Sequence, residues 1–179
     1  MKAIRNLYAQ LGVDAYYQQY GYAYQNPHLE QIAALLEQNQ EQLDYSQVLD
    51  FCAGGGEVSL ILKQLGFANS VGSDPYLQEL YKKNTQQPCF PWSFESVVKQ
   101  GMEGQYSCII CSFALHLCPS DLLYALVIQL FQHSSTLVVI TPHKRPILEQ
   151  YEGINLIFKD FSLTTKGKKV HLKAYEYAY

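Results

Sequence analysis

The stretch Val48-Leu49-Asp50-Phe51-Cys52-Ala53-Gly54-Gly55-Gly56-Glu57-Val58-Ser59 decides the fold class. A short apolar run carries an acid, three glycines follow, and Val58, Ile61, Leu62 and Leu65 then recur at helical spacing up to Gly66. That order is a buried strand turning tightly into an amphipathic helix. Ser70-Val71-Gly72-Ser73 gives a second strand, with Leu77, Leu80 and Tyr81 on the helix after it. Further strands are predicted near Cys89-Phe90, at Ser107 to Ser112 and at Thr136 to Thr141. Helices are predicted from Glu95 to Lys99 and after Pro119-Ser120-Asp121, the latter with Leu122, Leu123, Leu126, Val127 and Leu130 inward. Strands alternating with helices imply a parallel sheet covered on both faces. After Pro146 a brief helix leads to a strand at Ile154 to Phe158 and a last one at Lys169 to Tyr177. Only about ten residues separate these two, too few for a helical crossover, so they should be antiparallel neighbours.

Upstream of the glycine turn, Asn26 is a good N-cap and Pro27 a good first helical residue, with Leu29, Ile32, Ala33 and Leu36 along one face. Before it, Tyr16, Tyr17, Tyr20, Tyr22 and Tyr24 crowd together. Residues 1–46 are therefore read as an N-terminal helical extension or lid, and residues 47–179 as the core of a single domain. The chain of 179 residues is 48% hydrophobic and 16% charged, enough for a sizeable core. With 13 Lys plus Arg against 16 Asp plus Glu it has no overall basic field, so nucleic acid is not the expected partner. The first residues lack the apolar core of a signal peptide, and no run approaches the roughly 18 apolar residues of a membrane helix. We expect no membrane association and a cytoplasmic protein; oligomeric state is left open. Five cysteines, an odd number, point to free thiols. Cys108 and Cys111 mimic a metal pair in spacing, but three residues apart on a strand they face opposite ways, and no metal site is expected.

Asp50 sits beside the glycines at a strand end, where open α/β sheets bind ligands. A carboxylate there is poor company for a pyrophosphate and good company for a cation. Gly54-x-Gly56-x-x-Ser59 also lacks the third glycine of a dinucleotide fingerprint. Asp74 closes the second strand with the reach for two hydroxyls of an adenosine ribose. The two acids and the glycine turn describe a nucleoside ligand with a charged, non-phosphate tail.

On these residues, on Ile110-Cys111-Ser112-Phe113-Ala114-Leu115-His116 and on the closing strand pair, the chain resembles the class I S-adenosylmethionine-dependent methyltransferases over nearly its whole length. The resemblance implies a Rossmann-like, mostly parallel sheet of seven strands with helices on both faces and the last strand antiparallel, with S-adenosylmethionine as cofactor. It would put the methionine moiety against the turn from Asp50 through Cys52, Ala53 and Gly54 to Gly56, the ribose at Asp74 and Pro75, the adenine near Phe94 and Glu95, and the reacting end near Ser112 and Phe113. Where many members have glycine, this chain has Cys52, which makes the turn less open. Asp-Phe-Cys-Ala-Gly is also similar to some RNA-modifying members, whose lysine-rich surroundings are absent here. Ser112-Phe113-Ala114-Leu115 does not match the Asn/Asp-Pro-Pro-aromatic pattern of members that methylate amide or base nitrogen, and looks like members acting on small molecules or on oxygen and carbon centres.

Transfer of a methyl group from a sulfonium needs alignment in a dry site more than a dedicated base. His116 and His143, each following a strand end, are the catalytic candidates. Lys144, Arg145, Lys166, Lys168 and Lys169 form a local basic group that would favour an anionic small-molecule substrate. The tyrosine cluster reads as a segment packed against the core, with a lid over the pocket as the alternative, and Tyr24 is the member expected to reach the cofactor, where an aromatic face offers cation–π attraction. The expected activity is methyl transfer to a small molecule. The alternative is a methyltransferase-like module that binds cofactor or a partner without turnover, and a nicotinamide-dependent reductase is a third reading.

Overall fold

The computed structural model describes residues 26–178. The tyrosine cluster, the lid and the assignment of Tyr24 lie outside the described residues. Strands β1 (Val48–Phe51), β2 (Ser70–Ser73), β3 (Cys89–Phe90), β4 (Cys108–Ser112), β5 (Leu137–Thr141), β6 (Ile154–Leu163) and β7 (Lys169–Tyr177) form one sheet in the order β3-β2-β1-β4-β5-β7-β6. The first five strands pair in parallel, and β7 runs antiparallel to both β5 and β6. The seven-stranded, mostly parallel sheet with a reversed last strand is thus present as expected. β6 is longer than its sequence signature and bulged near Leu156 to Phe158, and this leaves only the tight turn at 164–168 before β7. The Thr164 Oγ1 and carbonyl oxygen both bind within that turn, accepting from the Lys168 and Gly167 N–H groups at 3.0 and 2.9 Å.

Helices α1 (Leu29–Gln38), α2 (Glu57–Gln64), α3 (Gln78–Thr85), α4 (Phe94–Gln100) and α5 (Ser120–Phe131) cover the sheet. The alternation of side chains along β1 and β4 divides the core in two. Leu49, Phe51, Ile109 and Cys111 pack with Val97 of α4 and Leu126, Val127 and Leu130 of α5. Val48, Cys108 and Ile110 pack on the other face with Ile32, Leu35 and Leu36 of α1 and Ile61 and Leu62 of α2. Cys108 and Cys111 therefore sit in different layers, as the strand period requires.

Two local expectations change. The Asn26 Oδ1 accepts the His28 N–H at 2.9 Å, so Asn26 and Pro27 form a turn before the helix and His28 is its cap. The buried face of α1 is Gln31, Ile32, Leu35 and Leu36, and Leu29 is exposed. In α5, Leu122 is only half buried, and Phe131 takes its place in the core.

Candidate cofactor site

The strand order reverses between β1 and β4, the place where open α/β sheets leave a crevice at the carboxyl ends of their strands. A cavity of about 460 Å³ opens there. Ten sequence-predicted residues line it: Asp50, Cys52, Ala53 and Gly54 from the β1 turn, Asp74 and Pro75 after β2, Phe94 and Glu95 at the start of α4, and Ser112 and Phe113 at the end of β4. Sequence reasoning missed Asn26, Glu57, Tyr76, Ser93 and Leu117, which also line it. Glu57 had a visible signal, an acid in the first turn of the helix after the glycines.

Among the described residues four carboxylates border this cavity, from Asp50, Glu57, Asp74 and Glu95, and no Lys or Arg does. Asp50 is buried, and its Oδ2 accepts from the Ser59 N–H at 3.2 Å and the Ser59 hydroxyl at 2.9 Å. Behind it, Ser59 Oγ and the Tyr81 hydroxyl are 2.7 Å apart. Burial dominates the Asp50 environment, with Glu57 and Asp74 nearby, and pushes its carboxyl up to about 8. Burial also raises Glu57 and Asp74, against the backbone N–H groups that bind them. Three carboxyls raised by burial around one cavity are a setting that a cationic ligand would suit.

Asp74 also holds the site together. Its Oδ2 accepts from the Gly54 N–H at 3.0 Å, while Oδ1 accepts from the Tyr76 and Leu77 N–H groups at 2.8 and 2.9 Å. The β1 turn is thereby pinned to the end of β2. About four lone-pair positions exist on a carboxylate, so this network leaves room for one ligand hydroxyl where two were expected.

The backbone at the two lips of the crevice is unusual. Cys52, the residue after β1, and Phe113, the residue after β4, have φ of 59° and 58°. Non-glycine residues rarely adopt this left-handed region, and such strain gathers at binding sites. Cys52 thus occupies a conformation that glycine takes freely. Its thiol, hydrogen-bonded to Cys111 and partly buried, is held well above the ordinary thiol range. Gly56 does not line the cavity. It caps α2 at φ 89°, and a Cβ there would stand 2.5 Å from Thr85 Cγ2 and 3.0 Å from Tyr81 Cδ2. Packing against α3, with the left-handed turn, is what requires this glycine, rather than approach of a ligand.

A second cavity, of about 560 Å³, lies between the start of α1, the end of β5 and the β6–β7 turn. His28, His143, Lys166, Lys168 and Lys169 line it. His143 thus belongs to this cavity, while His116, Lys144 and Arg145 line neither. The His116 and His143 rings lie 4.1 Å apart. Burial, and secondarily His143, push His116 down to about 4, so its ring is neutral near pH 7. The His28 ring stacks on Phe113 at 5.1 Å and 17°.

The chain has the fold of the class I S-adenosylmethionine-dependent methyltransferases. The magnesium protoporphyrin IX methyltransferase ChlM of Synechocystis PCC 6803, solved with bound S-adenosylmethionine, superposes with a TM-score of 0.67 over 97% of this chain and 95% of its own, at 16% identity. CcbJ methyltransferase of Streptomyces caelestis superposes with a TM-score of 0.63 over 88% and 92%, at 14% identity. In sequence, an uncharacterized protein of Schizosaccharomyces pombe is 29% identical over 200 aligned positions, covering 84% of this chain and 79% of the other. No family model matches the chain. No helix among the described residues is long and apolar enough to cross a membrane.

Proposed function

We propose that this protein is an S-adenosylmethionine-dependent methyltransferase acting on a small molecule. The observation that carries the proposal is the cavity at the β1–β4 crevice, lined among the described residues by four carboxylates, no Lys or Arg, and the glycine turn after β1. A pyrophosphate would meet repulsion there. S-adenosylmethionine brings two cationic centres, an ammonium and a sulfonium, and suits the same charges. The buried Ser112 Oγ, without a hydrogen-bond partner among the described residues, is a further polar atom in the cavity wall that a ligand would satisfy. The ChlM structures, with S-adenosylmethionine and S-adenosylhomocysteine bound to this fold, support the reading.

In this reading Asp50 and Glu57 face the ammonium end, Asp74 accepts a ribose hydroxyl, and Phe94 with Glu95 borders the base. Bound there, the cofactor would supply a sulfonium methyl carbon open to in-line attack by an acceptor's lone pair. Phe113 and Leu117 keep water from the reacting end. His143 is the base where one is needed, and His116, packed against it, positions its ring. His143→Ala should lower turnover of an ionisable acceptor about a hundredfold with cofactor affinity unchanged. Equal turnover in wild type and variant would remove His143 from the mechanism.

Titration calorimetry tests the assignment directly. We expect S-adenosylmethionine and S-adenosylhomocysteine to bind one to one with micromolar affinity and NAD not to bind. Absence of heat at millimolar S-adenosylmethionine overturns the proposal, and binding of NAD in its place would make the protein a nicotinamide-dependent enzyme.

A further inference from the structure

We infer that the second cavity is the docking site for the anionic group of the methyl acceptor, a small molecule carrying a carboxylate or a phosphate. This deepens the assignment above and rests on it. Lys166, Lys168 and Lys169 line the cavity against a single acid, Glu30. None of the three lysines has a carboxylate partner among the described residues, where the ion pairs are Lys82 with Glu79 and Lys173 with Glu149. Lys169 Nζ instead lies 4.0 Å over the Phe161 ring. The cavity therefore carries uncompensated positive charge within a chain of net charge −3.

The topology brings that charge to the cofactor end of the sheet. β7 runs antiparallel to β5 with His171 opposite Thr141, so the β6–β7 turn hangs over the carboxyl end of β5. The two cavities share a wall made of two stacked rings. Phe113 lines the acidic cavity, and His28, stacked on it, lines the basic one. The His28 Nδ1 is buried without a hydrogen-bond partner among the described residues, as expected of a group whose partner is a ligand. Opposite charges on the two sides of one thin wall sort two ligands. The cationic cofactor is held on the acidic side, and an anion on the basic side can extend its nucleophile past His28 and Phe113. The volume of the basic cavity is that of a small-molecule site.

The probes are benzoate, phenyl phosphate and the neutral benzyl alcohol, titrated into isotope-labelled protein and followed by NMR. Benzoate or phenyl phosphate, and not the alcohol, should shift the amides of residues 164–170 and the imidazole signals of His28 and His143. Whichever of the two anions binds more tightly identifies the headgroup. The triple variant Lys166→Gln, Lys168→Gln, Lys169→Gln should weaken that binding about tenfold, as should added salt, with the melting temperature and S-adenosylhomocysteine affinity unchanged. The inference is overturned if neither anion shifts these signals, if the alcohol shifts them equally, or if the triple variant binds the anions as well as wild type. It is also overturned if an RNA oligonucleotide shifts them where both small anions fail. S-adenosylhomocysteine titrated into the same samples reports through residues 50–57 and 74, so a failed cofactor assignment is seen separately from a failed anion site.

Discussion

Replacing Asp50 with Asn is expected to lower S-adenosylmethionine affinity by about a hundredfold or more and, above pH 7, to raise the melting temperature. The two effects have one cause. Asp50 is buried, and burial raises its carboxyl to about 8 from an ordinary 3.8. A group with a raised folded-state pKa contributes stability below its unfolded pKa and loses it as pH rises through the folded one, here from about pH 4 to about pH 8. Asn keeps an oxygen for the Ser59 N–H and hydroxyl and carries no charge to bury. The variant should therefore gain several kcal/mol over wild type at pH 8, up to about 5 from the full shift, a rise in melting temperature of about 10 °C or more, and almost nothing at pH 4. Cofactor binding has the opposite need. A bound cation holds Asp50 ionised, so removing one partner of a buried charge pair costs about 2 to 5 kcal/mol of affinity. Calorimetry and melting curves at both pH values check this. A variant that binds as tightly as wild type, or melts lower at pH 8, would be inconsistent with a charge-matching role for Asp50.

Gly72→Ala should destabilise the fold by about 2 to 4 kcal/mol, lowering the melting temperature by roughly 5 to 12 °C. A Cβ at Gly72 would lie 2.5 Å from both Cε2 and Cζ of Tyr81. Tyr81 is fully buried, and a Cβ at Gly56, the cap of α2, would likewise stand 3.0 Å from its ring, so the ring has little room on either side. Moving the ring also breaks the contact between the Tyr81 hydroxyl and Ser59, and with it the network behind Asp50. The loss should thus include cofactor affinity, although Gly72 lines neither cavity. A double-mutant cycle separates overpacking from loss of β2 itself. Gly72→Ala combined with Tyr81→Leu should be less destabilising than the sum of the single changes, and strict additivity would refute the steric account.

Much of the site was legible in the chain because its chemistry is local. Asp50, Cys52, Ala53 and Gly54 are consecutive or nearly so, and a strand that turns into a helix must present them at one sheet end. Asp74 and Pro75 follow the same rule one strand later. The sequence did not reveal why Gly56 is glycine, because its constraint is the Tyr81 ring 25 positions away. It misjudged the start of α1, because an Asn side chain can cap a helix or close a turn, and contacts beyond the segment choose between them. The histidines were grouped by their shared position after strand ends. Only packing separates them, His143 onto a cavity and His116 beneath it.

By itself the sequence determined the order of strands and helices, the antiparallel closing pair and the charge character of the first turn. Each of these follows from side-chain period, turn chemistry or loop length over a few residues. The tertiary structure decided that β7 lies between β5 and β6, and that this brings Lys166, Lys168 and Lys169 against His28 and His143. It also decided that His28 and Phe113, 85 positions apart, become one wall between an acidic and a basic cavity. Such pairings come from closing the sheet and docking α1 on it, and no local pattern encodes which distant side chains will then meet.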